Sequence, residues 1–154
     1  MSASRLEIVS SSEEATLALG RRLGESLIPP VWVGLEGELG AGKTRLVQGI
    51  ARGLGYEGRV RSPTFVLENR YPARSPILHQ DLYRLEDPGE DLLASWDEHP
   101  GVVLVEWCDR AQERPERWVH VRLESRGETE RAITITWTSE EAVLRPELLG
   151  AGSR

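Results

Sequence analysis

The spacing of apolar positions changes along the chain, and each change predicts an element. Leu6 to Val9 reads as a short strand. Leu19, Leu23 and Leu27 then recur on one face of a helix, and Ser11 with Glu14 fits a capping box at its start. Pro29 and Pro30 end that helix, because proline removes a backbone donor and clashes with the preceding turn. Val31 to Glu36 is a near-continuous apolar run, the pattern of a strand buried on both faces. After a glycine-rich stretch, helical spacing returns with Leu46, Val47, Ile50, Ala51 and Leu54 and stops at Gly55.

Further along, Thr64 to Tyr71 and Ile77 to Asp81 read as strands separated by a turn from Pro72 to Pro76. A short helix is predicted around Gly89 to Trp96, and Val102 to Glu106, VVLVE, is a second buried strand. Val119, Val121 and Leu123 alternate with polar residues, as do Ile133, Ile135 and Trp137, and Gly127 sits in the turn between them. This is an antiparallel hairpin. Strand, loop and helix units followed by a hairpin predict an α/β domain, a P-loop NTPase-like three-layer fold with a mixed parallel and antiparallel central sheet. Residues 1–154 are expected to form a single domain, with about 150–154, GAGSR, as a flexible tail.

A length of 154 residues matches one domain with a full core of its own. The single cysteine, Cys108, allows no internal disulfide, and no basic-then-apolar leader or membrane-length apolar run is present, which predicts a cytoplasmic protein. A net charge of −6 argues against a main task of tracking a nucleic-acid backbone, which needs a basic surface. Cys108 has no neighbouring base and reads as a packed thiol, and His79, His99 and His120 lack metal-ligand spacing.

The chemistry is concentrated in Gly37 to Thr44, GELGAGKT, which satisfies GxxxxGK[ST] between a predicted strand and a predicted helix. Gly37, Gly40 and Gly42 permit backbone angles and close approach, so that successive N–H groups of this loop, those of Glu38, Leu39 and Ala41 included, converge on phosphate oxygens at the helix N-terminus. Lys43 would reach the β- and γ-phosphates, and Thr44 would offer its hydroxyl to Mg²⁺. Of 19 basic residues 18 are arginine, so the one lysine stands where a slender ammonium is required. It also leaves no lysine for a guanine-recognition sequence, which favours ATP as the nucleotide. A phosphate loop needs acids from other strand ends to hold metal and align water. Asp81 and Glu106, each closing a predicted strand, are the candidates, and spacing does not divide the two roles between them. Two other classes share such a loop: a small-molecule kinase, with Asp81 deprotonating an acceptor, and a nucleotide-dependent adaptor for which hydrolysis is incidental.

Six segments, EEATLALG, GELGAGKT, RSPTFVLENRY, HQDLYRL, VVLVEW and DRAQERP, together resemble the bacterial TsaE family, the ATPase component of tRNA threonylcarbamoyladenosine biosynthesis. The resemblance implies Mg²⁺ at Thr44 and Glu106, with Asp81 beside them as the acid that positions or activates water. It makes Ser62, Pro63 and Thr64 a switch segment beside the γ-phosphate, with Tyr83 and Arg84 in support. Glu13 and Thr16, near the start, and Arg131, on the late hairpin, become candidates for nucleotide contact. A helix cap, a solvated helix face and an exposed arginine are their plainer readings. Trp107 reads as core or an interface anchor. The implied partners are TsaD and TsaB, with tRNA reached indirectly through that complex. Gln80 departs from the apolar residue usual in relatives, which predicts a less deeply buried strand there.

Overall fold

The computed structural model describes residues 2–38, 42–61, 68–83 and 90–150. Its elements are β1 (Ala3–Ser10), α1 (Glu13–Ser26), β2 (Val31–Gly37), α2 (Lys43–Gly53), β3 (Glu68–Tyr71), β4 (Ile77–Asp81), α3 (Glu90–Glu98), β5 (Val102–Glu106), β6 (Trp118–Ser125), β7 (Arg131–Thr138) and α4 (Pro146–Gly150). A 3-10 turn spans Cys108–Arg110.

Seven strands join in one sheet in the order β1-β7-β6-β2-β5-β4-β3. β6, β2, β5 and β4 run parallel, whereas β1, β7 and β6 pair antiparallel at one margin and β3 pairs antiparallel with β4 at the other. The expected mixed sheet is present. Its parallel centre coincides with the apolar runs of β2 and β5, because only a strand covered on both faces can be apolar at every position.

Alternate residues of β2 and β5 enter two separate cores. Val31, Val33, Leu35, Val102 and Leu104 pack with α1, α2 and α4, together with Val119, Val121, Leu123, Ile133 and Ile135. Trp32, Val103 and Val105 face the other way, onto Trp96 of α3 and Cys108. Fully burying side chains of this size contributes about 1.5–3 kcal/mol each. The helices thus cover both faces of the sheet and make three layers, as expected for this fold.

α1 and α2 approach unusually closely because glycines line both. A β-carbon on Gly49 would overlap the Leu17 carbonyl oxygen, and one on Gly53 would overlap that of Arg21. On α1, Gly20 and Gly24 are similarly pressed against the backbone of α2. This contact sets α2, and hence its first residue Lys43, firmly over the sheet.

Three local expectations change. Ser12 rather than Ser11 caps α1: its hydroxyl accepts the Ala15 amide at 3.0 Å, so the reciprocal glutamate of a capping box has no part. Gln80 is fully buried, not marginal, because Trp96 Nε1 donates to its Oε1 at 2.6 Å and its own amide reaches Glu68 Oε1 at 3.3 Å. α4, which no spacing announced, places Leu149 in the core. Of the strand expected from Thr64 to Tyr71, residues 64–67 lie outside the described residues, as do the start of the helix expected at Gly89 and residues 151–154 of the expected tail. Among the described residues, no helix is long and apolar enough to cross a membrane.

Candidate functional site

Because β2, β5 and β4 are parallel neighbours, their C-terminal ends share one edge of the sheet, where open α/β sheets bind ligands. Leu35 and Asp81 both pair in register with Glu106. Period-two alternation carries His79 and Asp81 to the face that Ile77 occupies, and Glu106 to the face of Leu104, which is the α2 side. α2 begins just past the end of β2, so its first turn, Asp81 and Glu106 meet around a cleft of about 510 Å³. Glu13, Thr16, Gly42, Lys43, Thr44, Tyr83, Trp107, Thr129 and Arg131 complete most of its lining.

Gly42 has a φ of 99°, which glycine adopts without strain, and it precedes α2 with no side chain capping the helix. The first-turn amides therefore face the cleft without a side-chain acceptor, and their partial positive charge suits an anion. Lys43 is only 6% exposed. Its Nζ donates to the Gly37 carbonyl at 2.6 Å and lies 3.8 Å from the centre of the Trp107 ring. Burial pushes the pKa of this ammonium down, against the opposing pull of Glu106 and Asp81. A buried ammonium at a helix N-terminus attracts an anionic partner.

Asp81 and Glu106 are also buried. The Tyr83 amide donates to Asp81 Oδ1 at 2.9 Å, a turn that keeps the carboxylate at the strand end. Glu106 Oε2 lies 2.6 Å from His79 Nε2. Thr44 presents its hydroxyl on the exposed first turn of α2. A hydroxyl with one or two carboxylates and room for water fits Mg²⁺, which uses few protein ligands. Among the described residues no group of three His, Cys, Asp or Glu side chains is placed to hold a metal ion.

Trp107 packs against the second core, as expected, and also enters the site: it is the only non-glycine among the described residues with positive φ, at 58°, and its ring contacts Lys43 and lies 4.9 Å from that of Tyr83. The available signal was its place directly after the strand-ending Glu106. Glu13 and Thr16 line the cleft, but each has local work: Glu13 pairs with Arg45 at 3.6 Å, and the Thr16 hydroxyl lies 2.7 Å from Ser10 Oγ. Arg131 stands beside Gly42, with Nη1 donating to the Glu130 carbonyl at 2.9 Å. Glu38 is exposed and faces a neighbouring groove with Gly37, not this cleft. Leu39, Gly40, Ala41, Ser62, Pro63, Thr64 and Arg84 lie outside the described residues.

Residues 10–133 match the model of the family described as "Threonylcarbamoyl adenosine biosynthesis protein TsaE". A Nostoc relative named tRNA threonylcarbamoyladenosine biosynthesis protein TsaE is 41% identical over 138 residues, covering 84% of this chain and 85% of its own length. The protein of the same name from Bacillus subtilis is 39% identical over 126 residues, 80% of each chain. Among solved structures, Bacillus subtilis YdiB superposes with a TM-score of 0.75 at 28% identity, covering 97% of this chain and 93% of its own.

Proposed function

Because the chain belongs to the TsaE family of threonylcarbamoyl adenosine biosynthesis proteins, we propose that it is a cytoplasmic P-loop ATPase that binds ATP with Mg²⁺ and hydrolyses it in support of tRNA threonylcarbamoyladenosine formation. The observation that carries this reading is the meeting of Lys43, Thr44, Asp81 and Glu106 in one cleft at the open N-terminus of α2. A buried ammonium, uncapped helix amides, a hydroxyl and two carboxylates are what phosphoryl chemistry requires of a protein, which does little beyond positioning and charge stabilisation.

In this reading Lys43 and the first-turn amides hold the phosphate oxygens, and Thr44 and Glu106 hold the metal. Asp81 orients the attacking water and accepts its proton. Mg²⁺, when bound, neutralises charge on the β- and γ-oxygens. Tyr83 fixes the Asp81 carboxylate through its backbone amide, and Trp107 shields Lys43 from water, which strengthens its attraction for an anion. The chain would not itself transfer the threonylcarbamoyl group. It would act on a complex of TsaD and TsaB, through which tRNA is engaged indirectly.

The test is calorimetry with Mg-ATP, together with phosphate release by the purified chain alone and with its TsaD and TsaB. Micromolar-range binding and release stimulated by the partners are expected. Absence of any Mg-dependent nucleotide binding would overturn the reading.

A further inference from the structure

Behind the cleft, three buried polar side chains follow one another into the protein. Glu106 Oε2 lies 2.6 Å from His79 Nε2, His79 Nδ1 lies 2.9 Å from the Tyr71 hydroxyl, and that hydroxyl donates to the Arg61 carbonyl at 3.1 Å. All three residues are at most 5% exposed. Sheet register builds the row. His79 pairs with Leu104 and Asn69, so Glu106 and Tyr71 each lie two residues along on the flanking strands, on the same face and within diagonal reach. The Arg61 carbonyl also accepts from Asn69 Nδ2 at 3.1 Å, so two side chains of β3 pin this one backbone oxygen.

A buried polar row is costly unless every member is satisfied, and an apolar histidine substitute would pack a sheet centre more simply. The row does something an apolar residue cannot: it fixes the rotamer of Glu106. One ring nitrogen, Nε2, faces the carboxylate, and the other, Nδ1, faces the Tyr71 hydroxyl. The Tyr71 hydroxyl therefore has two polar neighbours in reach, His79 Nδ1 and the Arg61 carbonyl. The His79 ring thus links the Glu106 carboxylate to the Tyr71 hydroxyl and, through it, to the Arg61 carbonyl.

We propose that His79 is a positioning residue that aims the Glu106 carboxylate into the cleft, and that Tyr71 couples this aim to the backbone at Arg61. The proposal rests on the reading of Glu106 as a magnesium-side acid. It assigns His79 and Tyr71 a role in regulating that site beyond packing. Tyr71 is suited to it because its ring is held independently, stacked on Tyr56 with centroids 4.9 Å apart, so the hydroxyl can exchange partners while the ring stays in place.

The test uses the full chain with His79→Ala, His79→Gln and Tyr71→Phe, each checked for folding by thermal melting. ATP affinity is measured with and without Mg²⁺, kcat and KM are measured for phosphate release, and amide exchange is followed at Arg61 and Asn69. His79→Ala is expected to weaken the Mg-dependent part of the affinity about tenfold or more while Mg-free affinity holds. His79→Gln, which keeps an N–H donor, is expected to recover part of that loss. Tyr71→Phe should lower kcat with KM little changed and abolish the Mg-ATP-dependent change in exchange at Arg61. Parental magnesium dependence in a folded His79→Ala, or a His79→Gln no better than alanine, would overturn the positioning role. Should His79→Ala not fold, Tyr71→Phe decides the matter: parental kcat and parental exchange response there overturn the proposal. A parent chain with no Mg-dependent nucleotide binding overturns the ATPase reading and this proposal with it, whereas a binding parent with unaltered variants overturns this proposal alone.

Discussion

Asp81 and Glu106 stand opposite each other in register at the ends of β4 and β5, so both carboxylates leave the sheet at one edge and on one face. Their supports differ. Glu106 is held from behind by His79, whereas Asp81 is held by the amide of the turn that follows it. In the proposed mechanism Glu106 takes the metal and Asp81 the attacking water.

Asp81→Asn keeps Oδ1 for the Tyr83 amide while removing the negative charge. It is expected to bind ATP with near-parental affinity and to lose roughly 100-fold or more in phosphate release, the usual scale for a general-base group. Glu106→Gln should also lose turnover, but with a weakened response to Mg²⁺. Magnesium titrations of both variants separate the roles, and full hydrolysis by Asp81→Asn would remove Asp81 from the chemistry.

Lys43→Met should abolish detectable nucleotide binding and yet raise the melting temperature of the nucleotide-free chain. The sign follows from burial. A pKa pushed below its ordinary 10.5 means that the charged form is less at home in the fold than in the unfolded chain. That cost is fully present at neutral pH and disappears as pH rises toward 10.5, so the melting advantage of the methionine variant should shrink in alkaline buffer. A gain of about 1 kcal/mol would appear as roughly 2–4 °C. A lower melting temperature for Lys43→Met at pH 7 would sink the argument.

The parallel centre of the sheet was legible because VWVGLE and VVLVE are apolar at consecutive positions, and the hairpin because β6 and β7 alternate. The loop motif likewise located Lys43 and Thr44, and strand ends located Asp81 and Glu106. What sequence could not give was cross-strand register. His79 reads as an unremarkable histidine until its diagonal to Glu106 is known, and Gln80 as a misfit until Trp96 is found beside it. Trp107 does pack against the second core, as its type suggests, but its contact with Lys43 could not be read from the sequence. The glycines of α1 and α2 were visible at spacing four, but only the helix crossing shows that they touch.

That crossing makes Gly49→Ala informative. A helix-interior glycine ordinarily costs about 0.5–1 kcal/mol relative to alanine, so alanine would stabilise an isolated helix. Here the added methyl meets the Leu17 carbonyl oxygen, part of a neighbouring backbone that cannot rotate away. Overpacking costs about 1–3 kcal/mol, so Gly49→Ala should destabilise despite its better propensity. Denaturant melts decide, and a stabilised variant would show that α1 can shift at little cost.

Cys108 should be inert in the native protein. Its thiol is 6% exposed, and burial, with Glu36 and Asp109 nearby, pushes its pKa up to about 12. At pH 8 the thiolate fraction is on the order of 10⁻⁴. Iodoacetamide should modify the chain only after denaturation, with modification followed by mass spectrometry. Rapid stoichiometric labelling of the folded chain would contradict both the burial and the shift.

His120 supplies an acid-side dependence of stability. Burial lowers its pKa below 6.5, with Glu36, 3.6 Å from Nε2, and Asp109 pulling it back up, and Arg114 and Arg122 pressing it further down. The proton is therefore taken up first by the unfolded chain as pH falls below 6.5, which favours unfolding through that window. Once pH drops below the lowered folded value, this loss stops growing. His120→Gln has no such proton to take up. On moving from pH 7.5 to 5.5 the parent should lose more stability than the variant, in urea melts run at both values at fixed salt. An equal loss in the two chains, or a larger one in His120→Gln, would show that Glu36 outweighs burial and that the histidine is the more basic in the fold.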